Sequence, residues 1–147
     1  MSSVEGIISE ARSWIGTPYR HQASCKGAGC DCLGLIRGVW RAVAGSEPEN
    51  VPAYTKDWSE PQGDERLWRA ARRHLFQKEL TDEAAGDVVL FRMKTGSVAK
   101  HLGIVTRIGP EAHFIHAYSG HGVVESALVR AWRRRIVARF EFPKEMI

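Results

Sequence analysis

The stretch GCDCLGLIRGVWRAVA, residues 29–44, decides the fold, because the chain changes there from a glycine-containing loop to a long apolar helix. The change falls at Cys32. Leucine, isoleucine, valine and tryptophan side chains then recur at helical spacing and form a broad apolar face. This face predicts a central helix packed on several sides, and Gly45 supplies its stop.

The segments before this helix are predicted to form one further helix and a loop. Apolar residues repeat at helical spacing up to a Gly-Thr-Pro sequence at residues 16–18, so we expect a first helix from about Ser3 to Ile15. Residues 16–31 hold several glycines and a proline and have no sustained period. They predict an irregular loop that leads into the central helix.

The segments after the central helix divide into an irregular part, a helix and a sheet. Prolines and polar residues predict an excursion over the surface at 47–63, and a third helix follows from about Asp64 to Phe76. Short β-rich segments then alternate with turn residues. The predicted strands are 88–91, 102–105, 113–116, 122–125 and 136–142, with a short helical stretch near 127–132. This order predicts an α+β domain with its helices on one face of a mostly antiparallel sheet of about five strands.

Length and composition indicate a single domain over residues 1–147, since 44% of the residues are hydrophobic and 26% are charged. We expect no signal peptide and no membrane span, because the sequence has neither a basic-then-apolar leader nor 18 consecutive apolar residues. Three crowded cysteines do not complete a disulfide framework, which is typical of a chain made in a reducing compartment.

The formal charge of +4 owes much to arginines near the carboxyl end. They are Arg130, Arg133, Arg134, Arg135 and Arg139. Such a cluster can bind nucleic acid, but no nucleic-acid module accompanies it. We therefore expect no direct nucleic-acid binding and interpret the cluster as a solvated face or as a surface for an acidic partner or substrate.

Cys32 is the candidate nucleophile because a helix start directs unpaired N–H groups and the helix dipole at the sulfur. This position predicts a thiol pKa below its usual value of about 8.5. The alternative is that Cys32 is a small buried hydrophobic residue.

Two histidines in the predicted sheet are candidates for the base. A hairpin folded symmetrically about residues 108 and 109 would set His101 directly opposite His116. One imidazole can take the thiol proton while the other orients it. We interpret the remaining histidines as surface or core residues, namely His21, His74, His113 and His121.

A metal site formed by the cysteines and His21 is the competing interpretation. The spacing C-x4-C-x-C is one crowded cluster without the second ligand pair of a structural zinc site. We therefore expect no metal.

Five motifs in order resemble the NlpC-type family of papain-like cell-wall cysteine peptidases. They are Gly16-Thr17-Pro18-Tyr19, Gly29-Cys30-Asp31-Cys32-Leu33-Gly34-Leu35, Ala85-Gly86-Asp87-Val88-Val89, His101-Leu102-Gly103-Ile104-Val105 and Phe114-Ile115-His116-Ala117. The resemblance spans about Gly6 to Phe142. It implies a papain-like fold with the nucleophile at a helix N-terminus against an antiparallel sheet that presents both histidines.

The resemblance implies the role of each site residue. Cys32 is the nucleophile, His101 the base and later acid, and His116 the orienting residue. Tyr19 would line the oxyanion site beside the backbone N–H of Cys32. The implied reaction cleaves amide bonds in peptidoglycan stem peptides, commonly next to D-γ-glutamyl, through a thioester and without a cofactor. Leu33 departs from the serine that the family usually has there.

The sequence Cys-Asp-Cys-Leu-Gly-Leu on a short chain resembles the branch found in phage and phage-derived tails. It implies tail-tip or baseplate partners, synthesis in the bacterial cytoplasm and action in the periplasm or cell wall of a target cell, where the wall is opened for nucleic-acid delivery. Two alternatives stay open: a structural tail protein with little activity, and a thiol-dependent amidase or acyltransferase acting on another substrate.

Overall fold

The computed structural model describes residues 3–48, 54 and 65–143. Two helices come first and enclose a small hairpin. They are α1 (Ser3–Arg12) and α2 (Cys32–Ala44), and the hairpin strands are β1 (Ser24–Cys25) and β2 (Gly29–Cys30). The predicted first helix thus ends three residues early, and the predicted irregular loop contains the hairpin. α2 begins at Cys32 as predicted, and Gly45 ends it with a φ of 90° that glycine adopts without strain.

The second half of the chain forms the predicted antiparallel sheet with one more strand than predicted. It contains α3 (Arg66–His74), β3 (Phe76–Lys78), β4 (Val88–Phe91), β5 (His101–Arg107), β6 (His113–Tyr118), β7 (Gly122–Ala127), α4 (Arg130–Arg133) and β8 (Ile136–Glu141). The six strands lie in the order β3-β8-β4-β5-β6-β7. The predicted excursion at 47–63 lies largely outside the described residues.

β3 is the strand that the sequence did not predict. Three residues are too few to show alternation, and the sequence interpretation extended the third helix to Phe76. Here Phe76 pairs with Glu141 of β8 at the edge of the sheet, where its side chain is 61% exposed. Pairing with β8, a contact distant in sequence, therefore determines the conformation of this segment.

The core divides into two layers on opposite faces of the sheet. One layer packs α1 and α2 against apolar side chains of β4, β5, β6 and β8, and it includes Leu35, Val39, Leu102 and Ile104. The other lies on the opposite face and contains Phe91 and Phe114, with Trp132 of α4 packed against it. Since strand residues alternate between faces, His101 and His116 emerge on this second face beside the aromatic residues.

Candidate active site

Asp31 fixes the start of α2 and so the position of Cys32. One carboxylate oxygen of Asp31 accepts a hydrogen bond from the backbone N–H of Gly34 at 2.7 Å, as a helix N-cap does. The other oxygen accepts from the backbone N–H of Gln22 at 2.7 Å and from the hydroxyl of Tyr54. Asp31 therefore ties the loop, the helix and Tyr54 together immediately before the candidate nucleophile Cys32.

The Cys32 sulfur lies against the strand that carries His101. Its thiol donates to the carbonyl of Lys100 at 3.6 Å, and the backbone N–H of Leu102 also faces the sulfur. These two residues flank His101 along β5. The tertiary fold thus brings the start of α2 to the start of β5, across nearly half the chain.

The electrostatics of Cys32 contradict the predicted low pKa. Burial, followed by the adjacent carboxylate of Asp31, raises the pKa of the thiol to about 12, although hydrogen bonds from the backbone N–H groups of Leu102 and Leu33 act in the opposite direction. The prediction considered the helix dipole alone. It was wrong because the capping residue places a negative charge at the same helix end and because the sulfur is only 6% exposed.

His101 and His116 contact each other, but in a different register from the one predicted. Ile104 lies opposite Ile115 and Val105 opposite Phe114, with an irregularity before the pair Arg107 and His113. If this register continues toward the start of β5, His116 lies diagonally across from His101. Nε2 of His101 nevertheless lies 2.7 Å from Nδ1 of His116, because residues two apart share a face of the sheet.

Gly103 explains why the aromatic side chains fit around this pair. It lies on the same face as His101, and a β-carbon there would approach Cδ2 of Phe114 to 2.7 Å. The phenyl ring of Phe114 in turn lies 4.2 Å from the ring of His116, measured between centroids. Glycine in the His101-Leu102-Gly103 sequence is therefore needed for packing beside the histidines.

The two imidazoles are enclosed by aromatic rings and are neutral near pH 7. Trp132 stacks on His101 with 5.7 Å between ring centroids, and Tyr118 stacks on His116 at 5.4 Å. Burial lowers the pKa of His101 to about 3, aided by His116, and burial together with His121 lowers the pKa of His116 to about 4. The site therefore contains a neutral thiol and neutral imidazoles.

The hydrogen bonds leave one nitrogen of His101 available. Nε2 is bonded to His116, and Nδ1 has no hydrogen-bond partner among the described residues. Nδ1 is the nitrogen nearer the backbone of its own residue, and the Cys32 sulfur contacts the backbone on both sides of that residue. Nδ1 is thus the nitrogen of His101 that is free of a protein partner among the described residues and can accept a proton while the imidazole is neutral.

Tyr19 lies at the same site from the loop before β1. It forms a parallel β-bridge with Cys30, two residues before Cys32. Burial is the largest cause, followed by the negative charge that Cys32 would carry as a thiolate, and together with smaller effects they raise the pKa of its phenol to about 12. Tyr19 therefore retains its proton and is a hydrogen-bond donor near neutral pH.

The cysteines and the other histidines have separate surroundings. Cys25 is exposed, Cys30 is buried, and all three thiols are free. Nδ1 of His113 lies 2.7 Å from the carbonyl of Glu111 in the β5–β6 turn. Within residues 3–48, 54 and 65–143, no three metal-ligating side chains converge on a point.

Two residues at the site were not predicted from the sequence. The Ser126 hydroxyl lies 2.9 Å from Nε2 of His116, and Trp132 covers both imidazoles. Both come from segments that follow His116 in the chain, and neither belongs to a local motif. Only the pairing of β6 with β7 and the return of α4 over the sheet bring them to the histidines.

These features define a papain-like α+β protein with a cysteine at a helix start and two hydrogen-bonded histidines on adjacent strands. The chain belongs to the NlpC/P60 family, whose model matches residues 16–140. No protein of curated function matches the sequence.

Several solved structures show the same fold. A lipoprotein-like NLP/P60 family protein from Staphylococcus aureus superposes with a TM-score of 0.62 at 20% identity, covering 97% of this chain and 42% of that one. An NlpC/P60 family protein from Bacillus cereus gives 0.63 at 18% identity, covering 96% and 40%. Ly7917, solved with the hydrolysing product of MDP, gives 0.61 at 15% identity, covering 97% and 63%. The chain thus spans less than two thirds of the length of each.

Proposed function

We propose that this protein is a cysteine peptidase that hydrolyses amide bonds in the stem peptides of peptidoglycan, next to D-γ-glutamyl. The observation that carries the proposal is the Cys32 sulfur lying against the strand whose His101 is hydrogen-bonded to His116. Membership of the NlpC/P60 family supports the substrate class. The structural likeness to Ly7917, which was solved with a hydrolysis product of MDP, is in keeping with it.

The reaction begins with transfer of the Cys32 proton to Nδ1 of His101. The sulfur forms a bond to the carbonyl carbon, and the carbonyl electrons move onto oxygen. The backbone N–H of Cys32, which has no acceptor within α2, and the phenol of Tyr19 stabilise this oxyanion. Its collapse breaks the C–N bond, and the departing amine takes the proton from His101. Water, deprotonated by His101, then adds to the thioester carbonyl. The C–S bond breaks to release the carboxylic acid, and His101 returns its proton to the Cys32 sulfur.

The neutral state of the site determines when the proton moves. Burial opposes both the thiolate and the imidazolium, so the free enzyme holds neutral Cys32 and neutral His101. Proton transfer then accompanies attack, when the developing charge is spread over the sulfur, the imidazole and the oxyanion. His116 contributes by accepting from Nε2 of His101 and thereby keeping Nδ1 free.

Release of muropeptides from purified peptidoglycan, followed by mass spectrometry, tests the proposal. We expect wild-type protein to release fragments ending at D-γ-glutamyl, and Cys32→Ser and His101→Ala to release none. His116→Ala should retain more activity than His101→Ala. His113→Ala is the matched control and should remain active, because His113 contacts the β5–β6 turn and not the pair formed by His101 and His116.

Failure to release muropeptides would favour one of the alternative functions. Absence of release by folded wild-type protein across several wall types would favour a structural role, while hydrolysis of small acyl donors alone would favour another thiol-dependent amidase or acyltransferase. Full activity of Cys32→Ser would remove the basis of the proposal.

We further propose that the protein acts in a phage-like tail, which opens the wall of the target cell for nucleic-acid delivery. This assignment rests on the resemblance of Cys-Asp-Cys-Leu-Gly-Leu at residues 30–35 to tail-associated sequences. In this setting the protein contacts tail-tip or baseplate proteins and works in the periplasm or cell wall. Detection of the chain in purified particles by mass spectrometry and immunogold labelling tests it, and its absence from them would contradict it.

A further inference from the structure

Ser126 lies at the end of a hydrogen-bonded chain that starts at the candidate base. Nε2 of His101 is 2.7 Å from Nδ1 of His116, and Nε2 of His116 is 2.9 Å from the Ser126 hydroxyl. His116 is 1% exposed, so its ring nitrogens depend on protein partners for their hydrogen bonds. Ser126 stands on β7 opposite Phe114 and reaches His116 diagonally across the strand pair.

When both imidazoles are neutral, two arrangements of the protons satisfy this series of hydrogen bonds. In the outward arrangement His101 donates from Nε2 to His116, and His116 donates from Nε2 to Ser126. In the inward arrangement Ser126 donates to His116, and His116 donates from Nδ1 to His101. Only the outward arrangement leaves Nδ1 of His101 unprotonated, because a neutral imidazole carries a single N–H.

We infer that Ser126 is a positioning residue that holds both histidines in the outward arrangement by accepting the Nε2 proton of His116, and thereby keeps His101 able to act as a base. The inference rests on the proposed peptidase function for its catalytic consequence. The arrangement of protons itself is a property of the folded protein, whether or not the protein hydrolyses peptidoglycan.

Because both imidazoles are buried and neutral, the position of the proton on each ring decides whether His101 can act as a base. Phe91, Phe114, Tyr118 and Trp132 contact the two imidazoles, and both histidines stay neutral because of burial. In such an enclosure, an N–H of His116 without an acceptor is costly. Removing the Ser126 oxygen therefore disfavours the outward arrangement and leaves the inward one, in which His101 has no free Nδ1.

Long-range 1H–15N correlation spectra of the imidazole rings test the inference directly, because they distinguish protonated from unprotonated nitrogens. In the wild-type protein we expect Nε2–H on both His101 and His116. In Ser126→Ala we expect a shift toward Nδ1–H on both rings, while Ser126→Thr, which keeps the hydroxyl, should retain the wild-type spectrum. Unchanged tautomers in Ser126→Ala would overturn the inference.

Thr106→Val is the matched control, since it removes a buried hydroxyl of β5 that donates to Glu125 and not to a histidine. We expect Ser126→Ala to lower kcat by about 10- to 100-fold with little change in KM, because the base-competent tautomer becomes the minor form. Ser126→Thr and Thr106→Val should stay close to wild type. A kcat loss in Ser126→Ala without any tautomer change would indicate a merely structural role and contradict the inference.

The two proposals fail separately. If wild-type protein releases no muropeptides, the peptidase function fails, and the spectra still decide the role of Ser126 in orienting the histidines. If wild-type protein is active and Ser126→Ala equals it in kcat and in tautomer, the function stands and the inference fails.

Discussion

At the scale of single residues, Cys32 combines burial with a neighbouring carboxylate. Its sulfur donates to the carbonyl of Lys100, as a neutral thiol does. A raised pKa makes the thiolate rarer at any given pH, and the thiolate is the form that reacts with alkylating agents. Reactivity of the free enzyme should therefore increase with pH well beyond neutrality.

The increase of Cys32 reactivity with pH can be measured by alkylation with iodoacetamide. A Cys25→Ser background removes the exposed thiol. We expect the second-order rate constant to rise about tenfold per pH unit from pH 6 to pH 10, because the pKa lies above that range. Mass spectrometry of the modified peptide assigns the site. A plateau between pH 5 and pH 8 would indicate a thiolate–imidazolium pair and contradict the neutral site.

At the scale of elements, the start of α2 depends on Asp31 for both structure and charge. Asp31→Ala removes the N-cap acceptor and leaves the N–H of Gln22 and the hydroxyl of Tyr54 without their acceptor. We expect the free energy of unfolding to fall by about 2–4 kcal/mol, as the sum of a lost cap and unsatisfied buried donors. Urea denaturation measures this loss.

Asp31→Asn distinguishes the effect of the Asp31 charge on Cys32 from its effect as the N-cap of α2. The amide keeps an acceptor for the helix while removing the negative charge that raises the pKa of Cys32. We expect a smaller loss of stability than in Asp31→Ala, together with faster alkylation of Cys32 at pH 8 because the thiol pKa falls. Equal alkylation rates in Asp31→Asn and wild type would show that burial alone sets the pKa.

The short helix α4 controls the protonation of the histidines through Trp132. Trp132→Ala admits water to the imidazole of His101, and hydration favours the charged form, so the lowered pKa should rise toward the ordinary histidine value of about 6.5. Titration of the imidazole resonances by NMR checks the direction. Trp68→Ala on α3 is the control, because Trp68 bonds Gln77 of β3 and contacts neither histidine. An unchanged titration of His101 in Trp132→Ala would refute this role.

At the scale of the whole molecule, one buried carboxylate joins three adjacent strands, β3, β8 and β4, at one edge of the sheet. Asp87, immediately before β4, bonds Arg139 of β8 at 2.6 Å and Lys78 of β3 at 2.9 Å. All three side chains are at most 7% exposed. Removing the carboxylate leaves two buried cations, of which Lys78 retains only a 3.6 Å contact with Glu141.

Asp87→Ala should therefore lower the free energy of unfolding by about 3–5 kcal/mol in urea denaturation. The exposed pair of Arg107 and Glu111 is the matched control, with side chains 57% and 80% exposed. Glu111→Ala should change the free energy of unfolding by less than about 0.5 kcal/mol, because water screens an exposed pair. Similar losses in the two variants would contradict a buried ionic tie between the strands.

The sequence alone determined the class of fold and where the helix that begins with the candidate nucleophile starts. Helical periodicity after Cys32, β-rich segments after Gly86 and five ordered motifs are local signals, and the structure confirms the α+β fold, the start of α2 and the antiparallel sheet. No helix among the described residues is long and apolar enough to cross a bilayer. Local signals are readable because periodicity and turn chemistry depend on neighbours along the chain.

Only the tertiary structure decided the strand register, the sixth strand and the ionisation of the site. His116 lies diagonal to His101, β3 forms because β8 is beside it, and Cys32 is neutral because folding buries its sulfur next to Asp31. Ser126 and Trp132 likewise reach the histidines only through strand pairing and the return of α4. These properties depend on contacts between residues distant in sequence and on desolvation, and neither leaves a periodic trace along the chain.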